Sequence, residues 1–176
     1  QIVYYFYAAV ALGAPDRPVS FSVPTGNFGD IFAGYLAKEM GLPIDQLVIA
    51  ANRNDVLHRI LTTGSYSKTT LQQTLSPSMD ITVSSNFERL MFDLYQRDGT
   101  VIADMMQRFN TDDIELSASA LQSLGGLFSS RCVSDEETCQ LIAQVYRDSE
   151  YLFDPHSAIG YQAAIDCRRD SSVPMV

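Results

Sequence analysis

Residues 20–41 read SFSVPTGNFGDIFAGYLAKEMG, an apolar run that breaks into Pro24-Thr25-Gly26-Asn27-Phe28-Gly29 and then resumes with helical spacing. Residues 19–23 alternate β-branched or aromatic residues with serines, as a strand does. Residues 28–40 follow as a helix, with Phe32, Leu36 and Met40 recurring every four positions and Gly41 and Pro43 as the stop. At such a strand-to-helix junction the first helical amides have no internal acceptor and the helix dipole adds partial positive charge, so an anion is a natural occupant. Gly26 and Gly29 lack a Cβ, which lets the backbone take positive φ and approach that anion closely, with Asn27 offering a further donor. A tight turn that only packs helix on strand has the same pattern. The loop is neither a P-loop, since no Gly-Lys-Ser/Thr follows, nor a Gly-x-Gly-x-x-Gly dinucleotide fingerprint.

Outward from this stretch the unit repeats. Residues 47–50 form a short apolar strand, Asn52 or Asn54 can cap, and residues 56–61 carry a helix to Gly64. This βαβα alternation predicts an α/β fold with a parallel sheet covered by helices on both faces and ligands at the carboxyl ends of the strands. Residues 4–12 predict a first helix ended by Gly13 and Pro15, and the apolar opening IVYYFYAAVALGA reads as a buried helix. Residues 79–99 read as a short strand, a cap at Ser85 or Asn86, and a helix bearing Phe87, Leu90, Met91 and Leu94 on one face. Residues 101–109 predict another helix. Ser134 with Glu137 forms a capping box, and Asp154-Pro155 supplies a cap and a first-turn proline to a last helix. Residues 62–78, rich in Ser, Thr, Gly and Pro, predict an extended surface loop.

The chain has 176 residues, 46% of them hydrophobic and 19% charged, enough to bury the core of one domain. A formal net charge of −9 with no basic patch argues against a nucleic-acid partner, so any anion must be held locally. Cys132, Cys139 and Cys167 are odd in number, lack Cys-x-x-Cys spacing and fall on otherwise helical patterns, which predicts buried or idle thiols in a reducing, cytoplasmic compartment and no metal site. The apolar opening is too short to span a bilayer and lacks a basic flank. Because the chain opens on Gln1 within a helical pattern and stops at SSVPMV, which reads as the start of a strand, it is expected to be a single piece of a longer protein.

Residues 22–57, TLSPSMDI at 74–81, SSNFERLMFDL at 84–94 and DPHSAIGYQAA at 154–164 together resemble the central part of the threonine synthases, most closely the bacterial and fungal branch. The resemblance runs over nearly the whole chain. It implies the three-layer parallel-sheet fold of the tryptophan-synthase-β-like (fold type II) pyridoxal-phosphate enzymes, residues 1–176 covering much of the large cofactor-binding domain. It also implies that Gly26, Asn27, Phe28, Gly29 and Asp30 form the loop around the 5′-phosphate of pyridoxal 5′-phosphate. The activity implied for the full-length enzyme is conversion of O-phospho-L-homoserine and water to L-threonine and phosphate. The competing identities are another fold-type-II lyase or synthase, or a non-catalytic α/β module that binds a phosphorylated ligand.

Within that picture Asp30 is expected to cap or brace, because a carboxylate beside a phosphate is repulsive, and Phe28 to pack the loop. Ser78, Asp80, Asn86 and Arg89, with Ser76 and Glu88 nearby, are candidates for the substrate channel, Arg89 as a two-donor grip on an oxyanion. The bland alternative is a Pro77 turn, a capped helix and a surface ion pair. His58 and His156 stand far apart with no metal-ligand spacing, and no Gly-x-Ser-x-Gly elbow supports a hydrolase. The family's Schiff-base lysine has no counterpart: Lys38 falls mid-helix and Lys68 in a polar loop, neither in the family's lysine motif. No catalytic residue is therefore assigned within 1–176, and the piece alone is expected to be inactive.

Overall fold

A computed structural model describes all residues, 1–176. Three parallel strands form the centre: β1 (Val19–Pro24), β2 (Ile44–Ala51) and β5 (Phe128–Cys132), in the order β1-β2-β5. Residues 174–176 add a fourth parallel segment outside β1, through Ser20 N to Pro174 O (2.8 Å), Val176 N to Ser20 O (2.9 Å) and Ser22 N to Val176 O (2.8 Å). Helices α1 (Ile2–Ala11), α2 (Gly29–Glu39) and α3 (Val56–Thr63) precede a two-residue strand β3 (Ser65–Tyr66). After a 3-10 turn at Pro77–Met79 come α4 (Phe87–Leu94), α5 (Gly99–Arg108), β4 (Ile114–Glu115, antiparallel to β3), α6 (Ala118–Leu127), α7 (Asp135–Ser149) and α8 (Pro155–Cys167).

The three layers follow from the period of two along β2. Leu47 and Ile49 enter the large core beneath α2, α3 and α6, while Val48 and Ala50 enter a smaller one with Met79, Val133, Ile159 and Ala163 under α8. Both faces are buried, as a parallel strand requires.

The sequence-based assignments hold for the main elements and fail in instructive places. The opening helix is not buried: Tyr5 and Ala9 dock while Val3, Tyr4, Tyr7 and Val10 stay exposed. Docking is confined to one stripe, where Tyr5 packs over Gly34 so closely that a Cβ there would stand 2.6 Å from its ring. Residues 80–86 form no strand: the Asp80 and Ile81 amides serve a local turn, and those of Ser84 and Asn86 donate to Tyr66 Oη and Asn27 O rather than to a ladder. The 62–78 loop is not wholly superficial, because Tyr66 and Ser76 are fully buried. Cys132 ends a strand rather than lying on a helix, and none of the three thiols is fully buried or paired. The capping box of Ser134 and Glu137 and the Asp154 cap, which accepts from the His156 and Ser157 amides, form as expected. No helix is long and apolar enough to cross a membrane.

Candidate functional site

The glycine loop sits at the carboxyl end of β1, where Thr25 N still donates to Ala50 O (2.8 Å). The residue that takes the left-handed turn is Phe28, at φ +69°; neither Gly26 nor Gly29 uses the positive φ open to it. Phe28 tolerates that backbone because its ring is locked in the core, 1% exposed, edge-on to Phe87 at 5.3 Å between centroids and 6.0 Å from Phe128. The glycines answer to proximity instead. A Cβ on Gly26 would lie 2.9 Å from Ser78 O, and one on Gly29 would lie 3.0 Å from Asn27 Oδ1 and 3.3 Å from Asn86 Nδ2.

Around this turn the amides of Gly26, Asn27, Phe28, Asp30 and Ile31 have no acceptor within the chain, and Gly29 N is satisfied locally by Asn27 Oδ1 at 2.9 Å. Free amides at the start of an eleven-residue helix form a cradle for an anion. The loop carbonyls face the other way and are braced: Ser84 Oγ donates to Gly26 O (3.0 Å), and both Asn86 N and Asn86 Nδ2 donate to Asn27 O (3.0 Å). Ser84 is held in turn by its amide donating to Tyr66 Oη (3.1 Å). Asn86 thus ties α4 to the loop rather than capping its own helix, which has no side-chain cap. Asp30 does not cap α2 either; it accepts from Tyr5 Oη through its backbone carbonyl (2.9 Å) and, more distantly, its Oδ1 (3.4 Å). Burial, and then the nearby Asp30 carboxylate, push the Tyr5 phenol above its ordinary value.

The second wall is the loop at residues 72–80. The Asp80 carboxylate accepts four hydrogen bonds: from Asn52 Nδ2 (2.8 Å), Asn54 Nδ2 (2.9 Å), Thr74 Oγ1 (2.7 Å) and Thr74 N (3.0 Å). Asn52 and Asn54, expected as caps of α3, are buried in this cluster at the carboxyl end of β2, with Asn52 also donating to Ser76 Oγ (2.9 Å). Ser78 is exposed at the crest, and its amide donates to His156 Nε2 (3.3 Å) while His156 Nδ1 meets Asp154 Oδ1 (3.0 Å). That arrangement requires a neutral ring with its proton on Nδ1.

Of the residues singled out from sequence, Gly26, Asn27, Phe28, Gly29, Ser78 and Asn86 therefore converge. Asp80 lies behind them, half-buried against Asn52 and Asn54. Arg89 is exposed and makes no ion pair, so the surface-pair alternative fails; it borders a groove of about 640 Å³ with Phe32, Phe92, Glu88 and Arg97. Lys38 donates to Ile44 O (2.5 Å), and Lys68 lies over the Phe109 ring at 4.7 Å. His58 pairs with Ser130 Oγ (2.8 Å), and its pKa is lowered mainly by burial. The roles of Ser84, Thr74, Asn52, Asn54 and His156 were missed, because nothing in their spacing tells a cap from a long-range tie.

No family model matches the chain. It is 58% identical over its whole length to a threonine synthase of Pseudomonas aeruginosa, of which it covers 38%. A threonine synthase of Saccharomyces cerevisiae is 41% identical over 91% of the chain, which covers 34% of that protein. Among solved structures, a pyridoxal-phosphate-bound threonine synthase from Brucella melitensis superposes on the entire chain with a TM-score of 0.96 and 50% identity, the chain covering 38% of it. The chain thus spans well under half the length of the relatives it matches.

Proposed function

We propose, from the homology of the whole chain to a segment of the threonine synthases, that this protein takes part in converting O-phospho-L-homoserine and water to L-threonine and phosphate with pyridoxal 5′-phosphate. Residues 1–176 then serve as the phosphate-gripping part of the cofactor domain. The observation that carries the reading is the cradle of five free amides on Gly26, Asn27, Phe28, Asp30 and Ile31 at the start of α2, a site shaped for a dianionic phosphate.

The residues present fit that group. Gly26 and Gly29 hold the backbone where no side chain intrudes, Phe28 fixes the turn from the core side, and Ser84 and Asn86 tie the loop carbonyls away from the anion. Asp30, exposed in the first helical turn, braces α1 through Tyr5 rather than facing the phosphate. When bound, pyridoxal phosphate supplies an electron sink for reactions at the amino acid's Cα and beyond. Ser78 at the crest of its loop and the unpaired guanidinium of Arg89 are assigned to the substrate's phosphate, with Asn86 between loop and helix. Asp80 acts at one remove, by holding the loop that carries Ser78. Neither Lys38, on the Ile44 carbonyl, nor Lys68, over Phe109, is assigned to the cofactor aldehyde.

The test is direct. Full-length protein should bind pyridoxal phosphate and release equimolar threonine and phosphate from O-phosphohomoserine, and Gly29→Val should weaken cofactor binding in equilibrium dialysis. Binding of pyridoxal phosphate with no turnover of phosphohomoserine refutes the assigned reaction; unchanged binding by Gly29→Val refutes the assigned cradle.

A further inference from the structure

We infer that the half-buried cluster of Asn52, Asn54, Thr74 and Asp80 is a positioning device that locks the Ser78-bearing loop onto the glycine loop, so that the two walls of the site keep a fixed spacing. The inference rests on the functional reading above and adds to it residues that touch neither cofactor nor substrate.

Three observations carry it. First, the cluster is closed: the Asp80 carboxylate receives four donors, and Asn52 Oδ1 accepts from both Asn54 N (2.9 Å) and Asn54 Nδ2 (3.2 Å). Asn54 also clamps Gln72 in both directions, Nδ2 to Gln72 O (2.8 Å) and Gln72 N to Asn54 Oδ1 (2.9 Å). No buried side-chain nitrogen or oxygen lacks a partner. A polar network whose buried atoms are all satisfied defines one geometry sharply, because each partial rearrangement strands a donor or acceptor of the buried Asn52 or Asn54.

Second, the cluster sits where it can transmit that geometry. Asn52 and Asn54 directly follow β2, at the carboxyl end of the central strand, and Asp80 directly follows the 3-10 turn Pro77–Met79. That turn is internally tied by Met79 N to Ser76 O (2.9 Å) and Asp80 N to Pro77 O (3.1 Å), and Met79 is anchored in the smaller core. Third, the turn touches the glycine loop without slack: Ser78 O lies where a Cβ on Gly26 would be 2.9 Å away. A shift at Asp80 therefore reaches Gly26 through one short rigid turn.

The critical variant is Asp80→Asn in full-length protein, which keeps size but replaces one carboxylate oxygen by an NH2 donor that must face other donors, Asn52 Nδ2 and Asn54 Nδ2 on one side or Thr74 N on the other. The reciprocal pair Asp80→Asn with Asn52→Asp restores the facing donor and acceptor. Leu141→Ala in α7, a buried truncation in the helix that packs on α8, controls for general destabilisation. Under conditions where all are folded, Asp80→Asn should raise the pyridoxal-phosphate dissociation constant about tenfold or more, shift the 31P resonance of bound cofactor, and be partly rescued by the pair; Leu141→Ala should do neither. Equal affinities and 31P shifts for Asp80→Asn and wild type overturn the inference. Should wild type fail to bind pyridoxal phosphate, the functional reading falls, and amide hydrogen exchange decides the positioning role alone. Faster exchange at residues 26–31 in Asp80→Asn, with no change in Leu141→Ala, supports it; unchanged exchange there refutes it.

Discussion

Replacing Gly26 by alanine tests whether this glycine is required by packing rather than by backbone conformation. An ideal Cβ would stand 2.9 Å from Ser78 O and 3.5 Å from Met79 Cα, both backbone atoms of a turn that cannot swing aside. Ordinary contact requires the two loops to separate by about half an ångström, and overpacking of that kind costs about 1–3 kcal/mol. Since Gly26 has no positive φ, alanine also stabilises by about 0.4–1 kcal/mol through the unfolded chain. The net expectation is a loss of about 0.5–2 kcal/mol, read as a lower urea midpoint at constant slope. Gly29→Ala is the internal comparison. Its Cβ would meet only the tips of Asn27 (3.0 Å) and Asn86 (3.3 Å), side chains able to rotate, so the two effects should nearly cancel. If Gly26→Ala is as stable as Gly29→Ala, the loops are not in the rigid contact described, and the reasoning fails.

Gly34→Ala places a Cβ 2.6 Å from the ring of buried Tyr5 and should destabilise by about 1–3 kcal/mol, with partial recovery in the Gly34→Ala/Tyr5→Leu double variant measured by thermal unfolding. Asp154→Ala removes the cap of α8 and should cost about 0.5–2 kcal/mol near pH 7. The Asp154 carboxyl is held down to about 2, first by the Ser157 hydroxyl and then by His156, so its contribution is full above its usual 3.8 and is lost as pH falls toward 2. Urea midpoints of wild type and variant should therefore converge in acid; a gap that persists at pH 2 contradicts the assignment. Arg89→Ala should lower kcat/KM for phosphohomoserine by about 1.5–3 kcal/mol, and a change below about twofold would show that Arg89 does not meet the substrate phosphate.

The strand-loop-helix at residues 20–41 was legible because local periodicity and the glycine punctuation pointed the same way, and the caps at Ser134 and Asp154 because they act within one turn. What escaped was long-range. Asn52 and Asn54 have the composition of caps but are drawn into the Asp80 cluster, since a carboxylate that follows a distant turn offers buried amides a stronger acceptor than the helix start does. The positive φ fell on Phe28 because tertiary packing of its ring against Phe87 outweighs the local strain. The exposed face of α1 was misjudged because an apolar run states how much could be buried, not how much is.

The pairing of Ser20 and Ser22 with residues 174–176 bears on the order in which the chain can fold during synthesis. β1 and β2 are close in sequence and can pair early, and β5 joins only after the intervening helices are made. The outer edge of β1 then stays open until nearly all of these residues have emerged, because its partner lies at the far end of them. Through that interval an unpaired strand edge beside the aromatic face of α1 is available to a second nascent chain. Contacts across so long a stretch of chain close slowly, so these edge hydrogen bonds form after those between β1 and β2.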